Sequence, residues 1–284
     1  MISEEIIVVL TLGVAIGALF ALSALGLSII LGTLNIVNIA HGAFLMLGMY
    51  IAYWLYTIAG IDPLIGTLVA AAIGFGVGAL IDKSLIERIR GSLLGVRSVL
   101  VTYGLAIVIE NLVLLFWKAD VRAMLVPQYV TRLGGFISLL RLIIVAFSIA
   151  AYVSLYVFFK RTYIGKAIRA LTQDERAAAL MGVDVKRVLM ISFSTGLSLT
   201  FLSGGLLALI SNIYPSVGWI YLLYSLAVIV FGGMGSMVGQ LVSGMLIGVV
   251  LTGLSQFLPI EAVTFIIFLA FIIFFVVRPV GGRR

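Results

Sequence analysis

Residues 6–31 read IIVVLTLGVAIGALFALSALGLSIIL and contain no charged side chain. An α-helix needs about 20 predominantly apolar residues to cross the hydrocarbon core of a bilayer, which is roughly 30 Å thick. This stretch therefore predicts a membrane-spanning helix. The residues ahead of it, Met-Ile-Ser-Glu-Glu, carry no positive charge, so we interpret it as a retained helix and not as a cleaved signal peptide.

Apolar segments recur along the whole chain, in which 63% of the 284 residues are hydrophobic and 10% are charged. This pattern predicts an all-α polytopic membrane protein with eight or nine hydrophobic segments, some of them broken, in a single domain spanning residues 1–284. The segments after the first are 36–57, 64–81, 98–117, 136–159, 188–211, 222–254 and 262–278.

Glycines interrupt or line several of these segments. Segment 222–254 is too long for one crossing and carries four glycines between residues 232 and 239, so we expect two short helices joined by a bend. Close approach of helix backbones is expected at three GxxxG pairs, which are Gly13/Gly17, Gly74/Gly78 and Gly244/Gly248.

The basic residues are distributed unevenly between the loops. Fourteen of the 18 lie in residues 82–97, in residues 160–187 or in the C-terminal tail from Arg278 onward. Because cytoplasmic loops are enriched in Lys and Arg, these regions are predicted to face the cytoplasm, and the N-terminus is predicted to lie outside. An odd number of crossings follows, and the net charge of +7 is explained by membrane topology without a nucleic-acid partner.

Two residue counts and one missing motif limit the chemistry that this chain could perform. The chain has no cysteine and one histidine, which excludes disulfides, thiolate chemistry and a metal site built from several histidines. A phosphate-binding GxxxxGK[ST] loop is also missing from the sequence. We therefore expect a transport subunit without its own ATPase motif, and no metal or other cofactor bound by this chain.

The loop over residues 164–184 reads IGKAIRALTQDERAAALMGVD. Good helix formers fill it from Lys166 to Met181, and Gly182 is suited to the left-handed residue that ends a helix. Ile168, Leu171, Ala178 and Met181 recur at helical spacing. The prediction is one short amphipathic helix that either docks on a partner or lies on the inner leaflet.

Three stretches together carry a resemblance to a known family. The loop just described resembles the coupling loop of ABC importer permeases. LGTLNIVNIAHGAFLMLG at 31–48 resembles the Asn-x-Ala-His-Gly signature of LivH-type branched-chain amino acid permeases more than that of their LivM-type partners. VFGGMGSMVG at 230–239 is similar to the Gly-Gly-x-Gly-Ser segment of the same family.

The resemblance implies function and partners. It implies a permease for leucine, isoleucine and valine in an ATP-driven importer, with other amino acids, urea or amides as alternative solutes. The implied partners are a homologous LivM-type permease, two ATPase subunits that bind ATP and Mg²⁺, an extracytoplasmic solute-binding protein and membrane lipid. Coupling to the ATPase, within a cytoplasmic loop at 160–187, would involve Arg169, Asp174, Glu175, Ala178 and Gly182.

Broken helices indicate candidates for the translocation path. Asn35, Asn38 and His41 precede Gly42, and Gly233 and Ser236 lie in the second glycine-rich stretch; discontinuous helices in both halves of a transporter often lie beside its substrate. His41 is interpreted either as a helix cap that hydrogen-bonds broken backbone or as a gating residue.

Glu110, with Asn111 beside it, lies in the middle of an apolar segment. A carboxyl group there is costly and faces a bundle interior, a cavity or a partner. It could form a structural hydrogen bond, line the path or couple protons. The family often has an uncharged polar residue at position 110, and it often has Pro where this chain has Val238.

Two other classes of function are suggested by single residues of this sequence. One is an ion-coupled secondary transporter that uses Glu110, and the coupling-loop resemblance argues against it. The other is an intramembrane hydrolase that uses a serine with His41, but no serine stands in a recognisable nucleophile motif.

Overall fold

The computed structural model describes residues 2–90, 94–129, 132–133 and 137–277. Its helices in chain order are α1 (Ile2–Leu34), α2 (His41–Ala59), α3 (Pro63–Ile81), α4 (Glu87–Ile89), α5 (Leu94–Trp117), α6 (Leu139–Arg161), α7 (Tyr163–Gln173), α8 (Glu175–Leu180), α9 (Val185–Leu207), α10 (Gly218–Gly232), α11 (Met237–Leu254) and α12 (Ile260–Val277). A π-helical turn, Asp82–Ile86, joins α3 to α4, and strands β1 (Arg132–Leu133) and β2 (Ile137–Ser138) pair antiparallel.

Within the described ranges, eight helices are long and apolar enough to cross a membrane, and α10 is a shorter apolar helix. The polytopic all-α fold is therefore confirmed. The predicted segment 222–254 does divide into two helices, α10 and α11, at a bend where Gly233 and Gly235 have φ of 85° and 78°. The tail from Arg278 onward, which the charge count assigns to the cytoplasm, lies outside the described residues.

The first predicted break is also present. Helix α1 ends at Leu34 and α2 begins at His41, so the predicted start of the second segment at residue 36 was wrong. Asn35 has a φ of 55°, a left-handed conformation that Asn tolerates better than most residues. The backbone therefore leaves the helix immediately after α1 and re-enters it only at His41.

Helices α1 and α11 pack tightly along their glycines. A Cβ atom on Gly17 would lie 2.5 Å from the carbonyl oxygen of Gly244, and one on Gly248 would meet the carbonyl oxygen of Gly13. The two GxxxG pairs on these helices therefore do what their spacing predicts, which is to let the two backbones approach closely.

Helices α3 and α9 form a comparable pair elsewhere in the bundle. A Cβ atom on Gly78 would lie 2.6 Å from the Cα of Ser194, and one on Gly74 would lie 2.6 Å from the Phe201 ring. When α1–α3 and α9–α11 are taken as two halves, the first helix of each half packs against the third helix of the other. Helix α1 packs against α11, and helix α9 packs against α3.

Helices α1–α3 and α9–α11 are consequently two similar units with opposite orientation. Helices α1 and α9 run antiparallel, because Gly26 lies beside Gly196 while Leu19 lies beside Ser203 further along. The short helices α2 and α10 meet at their N-terminal ends, where Gly42 and Gly218 touch. This reciprocal arrangement is that of the inverted repeats found in many transporters.

The predicted helix from Lys166 to Met181 is in fact two helices, α7 and α8, which divide at Asp174. The Asp174 carboxylate accepts hydrogen bonds from the backbone N–H groups of Arg176 and Ala177, at 2.8 and 3.0 Å. This side chain caps the new helix and competes with continuation of the old one.

Candidate functional site

The N-terminal ends of α2 and α10 meet inside the bundle. A Cβ on Gly42 would fall on the carbonyl oxygen of Gly218, and a Cβ on Gly218 would fall on that of Gly42. The residues at the N-cap positions of the two helices, Ala40 and Val217, make no side-chain capping hydrogen bond. Two helix ends without a side-chain cap are therefore brought together, and only glycine permits the contact.

His41 connects four helices beside this junction. Its side chain is fully buried. Its Nε2 atom lies 2.9 Å from the Ser23 hydroxyl on α1, and its Nδ1 atom lies 3.2 Å from the Thr200 hydroxyl on α9. Ser23 in turn lies 2.8 Å from the Ser225 hydroxyl on α10. The Thr200 hydroxyl also donates to the Gly196 carbonyl oxygen at 2.8 Å, so it can accept from a protonated Nδ1 while the Ser23 hydroxyl donates to Nε2.

The sequence predicted His41 as a candidate but not its partners. Ser23, Thr200 and Ser225 are hydroxyl residues in predominantly apolar helices, and all three are buried. Polar side chains across a helix interface are a recognised means of association in membranes, which is the signal that could have found them.

Asn38 lies in the break between α1 and α2 with 1% of its surface exposed. Neither its amide nitrogen nor its carbonyl oxygen has a hydrogen-bond partner. The neighbouring backbone N–H of Ile39 donates to the Thr102 hydroxyl on α5 at 3.1 Å. Asn35, by contrast, is exposed at the end of α1.

Glu110 borders the same junction from α5. Its Oε2 atom accepts a hydrogen bond of 2.9 Å from Nε1 of Trp219, in the first turn of α10. The two residues line a small cleft of about 10 Å³ together with Gly42 and Gly218, which is room for about one water molecule. Asn111 is exposed, and its amide donates to the Ile107 carbonyl oxygen at 2.8 Å.

Polar and aromatic groups continue along this face of α5. Tyr103 is 48% exposed, and its ring centroid lies 6.1 Å from that of Trp219, which is 37% exposed. Ionisable and strongly polar groups are costly against hydrocarbon. This face therefore suits a partner subunit or an aqueous path better than lipid tails.

The bend between α10 and α11 lies at another end of the bundle. Ser236 caps α11, because its hydroxyl accepts from the N–H of Gly239 at 3.1 Å. The Gln240 amide donates to the Ser28 hydroxyl on α1 at 2.8 Å and to the Gly233 carbonyl oxygen at 3.2 Å. Gln240 thus fixes this turn against α1, while Gly233 and Ser236 form hydrogen bonds within it, and neither of these two residues borders the Glu110 cleft.

The loop between α6 and α9 has an anchored part and a protruding part. Helix α7 begins at the cap Thr162, whose hydroxyl accepts from Gly165 at 3.0 Å, and it buries Ile168 and Leu171. Helix α8 buries Ala178 only, and the chain turns away from it at Gly182, whose φ is 84°.

The apolar tip of α8 is exposed. Leu180 is 88% and Met181 86% exposed. The helix ends at Leu180, so Met181, which the sequence grouped with Ile168, Leu171 and Ala178 by helical spacing, lies just beyond it. Arg169, Asp174 and Glu175 are also exposed, and Asp174 doubles as the cap of α8.

A cluster of aromatic rings surrounds Arg122 in the loop after α5. Its guanidinium lies 5.0 Å from the centre of the Trp54 ring and donates to the Trp117 carbonyl oxygen at 3.1 Å. Its backbone pairs with that of Ile213, in the connection between α9 and α10. For residues 118–135 the sequence indicated either a surface that could receive a soluble binding protein or an ordinary solvated loop, and it did not predict this cluster.

The same loop is tied to the turn between α2 and α3. The Tyr129 hydroxyl donates to the Asp62 carboxylate at 2.7 Å. Partial burial, together with this hydrogen bond and the carboxylate charge, raises the pKa of Tyr129 to about 12.

Comparisons with known proteins agree over nearly the whole chain. A family model described as the branched-chain amino acid transport system permease component matches residues 9–277. The chain is 28% identical to the LivH permease protein of the high-affinity branched-chain amino acid transport system of Escherichia coli, over 95% of this chain and 92% of that protein. No solved structure matches.

Two further relatives come from distant organisms. The BraD permease protein of Pseudomonas aeruginosa is 28% identical over 84% of this chain and 82% of its own length. A probable LivH permease protein of Methanocaldococcus jannaschii is 27% identical over 81% and 75%, respectively.

Proposed function

Because the chain belongs to the family of branched-chain amino acid transport permease components, we propose that it is the membrane subunit of an ATP-driven importer that provides the path for leucine, isoleucine and valine. The observation that carries the ATP-driven part is the protruding helix α8. The chain itself lacks a phosphate-binding loop, so the energy comes from separate ATPase subunits.

The tip of α8 is suited to docking. Leu180 and Met181 present adjacent apolar side chains that are almost fully exposed. They follow the hydrophilic stretch from Gln173 to Arg176, where a bilayer-facing surface is not expected. An exposed apolar pair bordered by charges is typical of a protein-binding surface.

Helix α7 is placed to transmit a movement of this tip. It packs against α1, α6 and α9, with Ile168 and Leu171 buried among them. A displacement of α8 by the ATPase would reach α9 through the short turn at Gly182 and α1 through α7. By this proposal Asp174 and Gly182 fix the backbone of the loop, and the buried Ala178 packs it against the rest of the protein. Arg169 and Glu175 are exposed and available to contact the ATPase.

The proposed translocation path runs along the face of α5 that carries Glu110. By this proposal the carboxylate meets the ammonium group of the amino acid, while Asn111 and the α2–α10 junction line the same side. Asn35, Asn38, His41, Gly233 and Ser236 support the path by holding the broken helices in place. A homologous LivM-type subunit would cover this face, and an extracytoplasmic binding protein would deliver the solute.

The experiment is co-purification from native membranes in mild detergent. We expect the double variant Leu180→Ser/Met181→Ser to lose its ATPase subunits, because it removes the apolar contact. Its thermal unfolding midpoint should stay unchanged, because both side chains are exposed.

A matched control is Leu125→Ser, whose side chain is 80% exposed in the loop after α5. This variant should retain the ATPase subunits. If no ATPase accompanies the wild-type chain, the ATP-driven importer is wrong, and transport driven by an ion gradient through Glu110 takes its place.

A further inference from the structure

A cavity of about 320 Å³ lies between the C-terminal ends of α1 and α6, helix α7 and the bend before α11. Its floor is apolar and includes Leu25, Ile29 and Ile168. Its volume falls at the lower end of the range for sites that bind small molecules. The cavity is separate from the Glu110 cleft, with which it shares no residue.

Two cationic side chains line this cavity. Lys160 belongs to the last turn of α6 and Arg169 to the exposed face of α7. The Lys160 ammonium donates to the Tyr156 hydroxyl at 3.3 Å and lies 5.4 Å from the centre of that ring. Among the described residues, neither cation has a carboxylate within 4.0 Å. The cavity therefore carries two positive charges without a neutralising partner.

The apolar floor residues of α1 and the two cationic side chains of the cavity lie at different depths in the membrane. Leu25 and Ile29 come from within the membrane-spanning part of α1, whereas Ile168, Lys160 and Arg169 lie where the chain leaves the membrane, between α6 and α7. Lipid headgroups occupy that level, with acyl chains beneath. Thr33 and Thr172 also line the cavity, and their hydroxyls donate to the backbone carbonyl oxygens of Ile29 and Arg169, at 2.7 and 2.8 Å.

We propose that this cavity binds an anionic phospholipid, with its phosphate between Lys160 and Arg169 and part of an acyl chain against Leu25 and Ile29. Basic residues at the membrane surface attract anionic lipid with about 1 kcal/mol each. The bound lipid would hold α7 against α1 and α6, the two helices against which α7 packs on this side of the cavity. This proposal does not depend on ATP coupling or on the identity of the transported solute.

The experiment measures binding of phosphatidylglycerol to the purified chain in detergent, with phosphatidylcholine of the same acyl chains as the comparison. The wild type should bind phosphatidylglycerol more tightly. The double variant Lys160→Gln/Arg169→Gln should lose about 30-fold in affinity, which corresponds to two such charges. Its affinity for phosphatidylcholine should not change.

The control variant is Lys166→Gln/Arg176→Gln, which removes the same net charge from exposed positions of the same loop that do not line the cavity. It should bind phosphatidylglycerol like the wild type. A third variant, Gly32→Leu, places a side chain at the cavity wall, where a Cβ meets no atom within 4 Å. It should weaken binding without removing charge.

Three outcomes would overturn the proposal. Equal binding of both lipids would show that charge is not recognised. An equal loss in the two double variants would indicate general attraction to the loop and not a site. Competition by inorganic phosphate at the affinity of the lipid would mean that the cavity takes a free anion and that its apolar floor contributes nothing.

Discussion

Single polar residues decide where the helices of this bundle can meet. His41 is satisfied by hydroxyls from two other helices, whereas Asn38, three residues earlier, has no partner for either end of its amide. An unpaired buried polar group costs about 1–3 kcal/mol. The break between α1 and α2 therefore buries an amide that the packing of the described residues leaves unpaired.

Glu110 permits a test that changes charge and little else. In Glu110→Gln the amide oxygen can still accept from Trp219, so the contact of 2.9 Å is retained. If the carboxylate meets the ammonium group of the solute, the KM for leucine should rise about tenfold, the value of one hydrogen bond to a charged group. ATP-driven uptake into proteoliposomes measures it.

Glu261→Gln serves as the control for Glu110→Gln, because Glu261 is an exposed acid in the first turn of α12. It should leave KM unchanged. An unchanged KM in both variants would assign Glu110 a structural role only, whereas ion-driven uptake abolished by Glu110→Gln would indicate a secondary transporter.

At the scale of elements, the meeting of α2 and α10 is the most constrained contact. In Gly42→Ala the new methyl group would fall on the Gly218 carbonyl oxygen. Because backbone and not a flexible side chain stands in the way, we expect a loss of about 3 kcal/mol in stability, the upper end of the usual cost of overpacking. The thermal unfolding midpoint in detergent reports it.

The comparison for that variant is Gly76→Ala on α3. Gly76 is also helical, but a Cβ there meets nothing within 4 Å. Since alanine favours the helix over glycine, Gly76→Ala should be neutral or stabilising by up to about 1 kcal/mol. Equal midpoints for the two variants would mean that the close contact of α2 and α10 does not form.

Features of the fold were predictable from sequence where their signal lies in one residue or a few neighbouring residues. The breaks at Asn35 and Gly233 were predictable, because residue type alone favours left-handed backbone there. The division at Asp174 was missed, since a run of helix formers outweighed the capping preference of one aspartate. The partners of His41 were not predictable, because Ser23 and Thr200 are brought to it only by helix packing.

The distribution of basic residues predicts how the whole molecule is oriented in the membrane. Lys186, at the start of α9, lies 2.9 Å from Glu87 after α3, so the two basic loops are on the same side. The chain has no cysteine, which makes single-cysteine labelling direct. With a membrane-impermeant maleimide, Ala119→Cys should react in intact cells, and Ser84→Cys should react only after permeabilisation.

The cysteine-free parent chain is the blank for this experiment, and both substituted positions are exposed. Labelling of Ser84→Cys in intact cells, with Ala119→Cys protected, would reverse the orientation. It would also place helix α8 on the side of the membrane where no ATP is available, and the proposed coupling would fail with it.

The head-to-head contact of α2 and α10 has an electrical consequence. Each helix N-terminus carries a partial positive charge of about half an elementary charge, and neither end is capped by a side chain. Positive helix ends directed into a pore repel protons and other cations. If the proposed path is closed at this junction, the two positive helix ends would oppose the passage of protons there, whereas the Glu110 carboxylate beside it could still attract the ammonium group of a zwitterion.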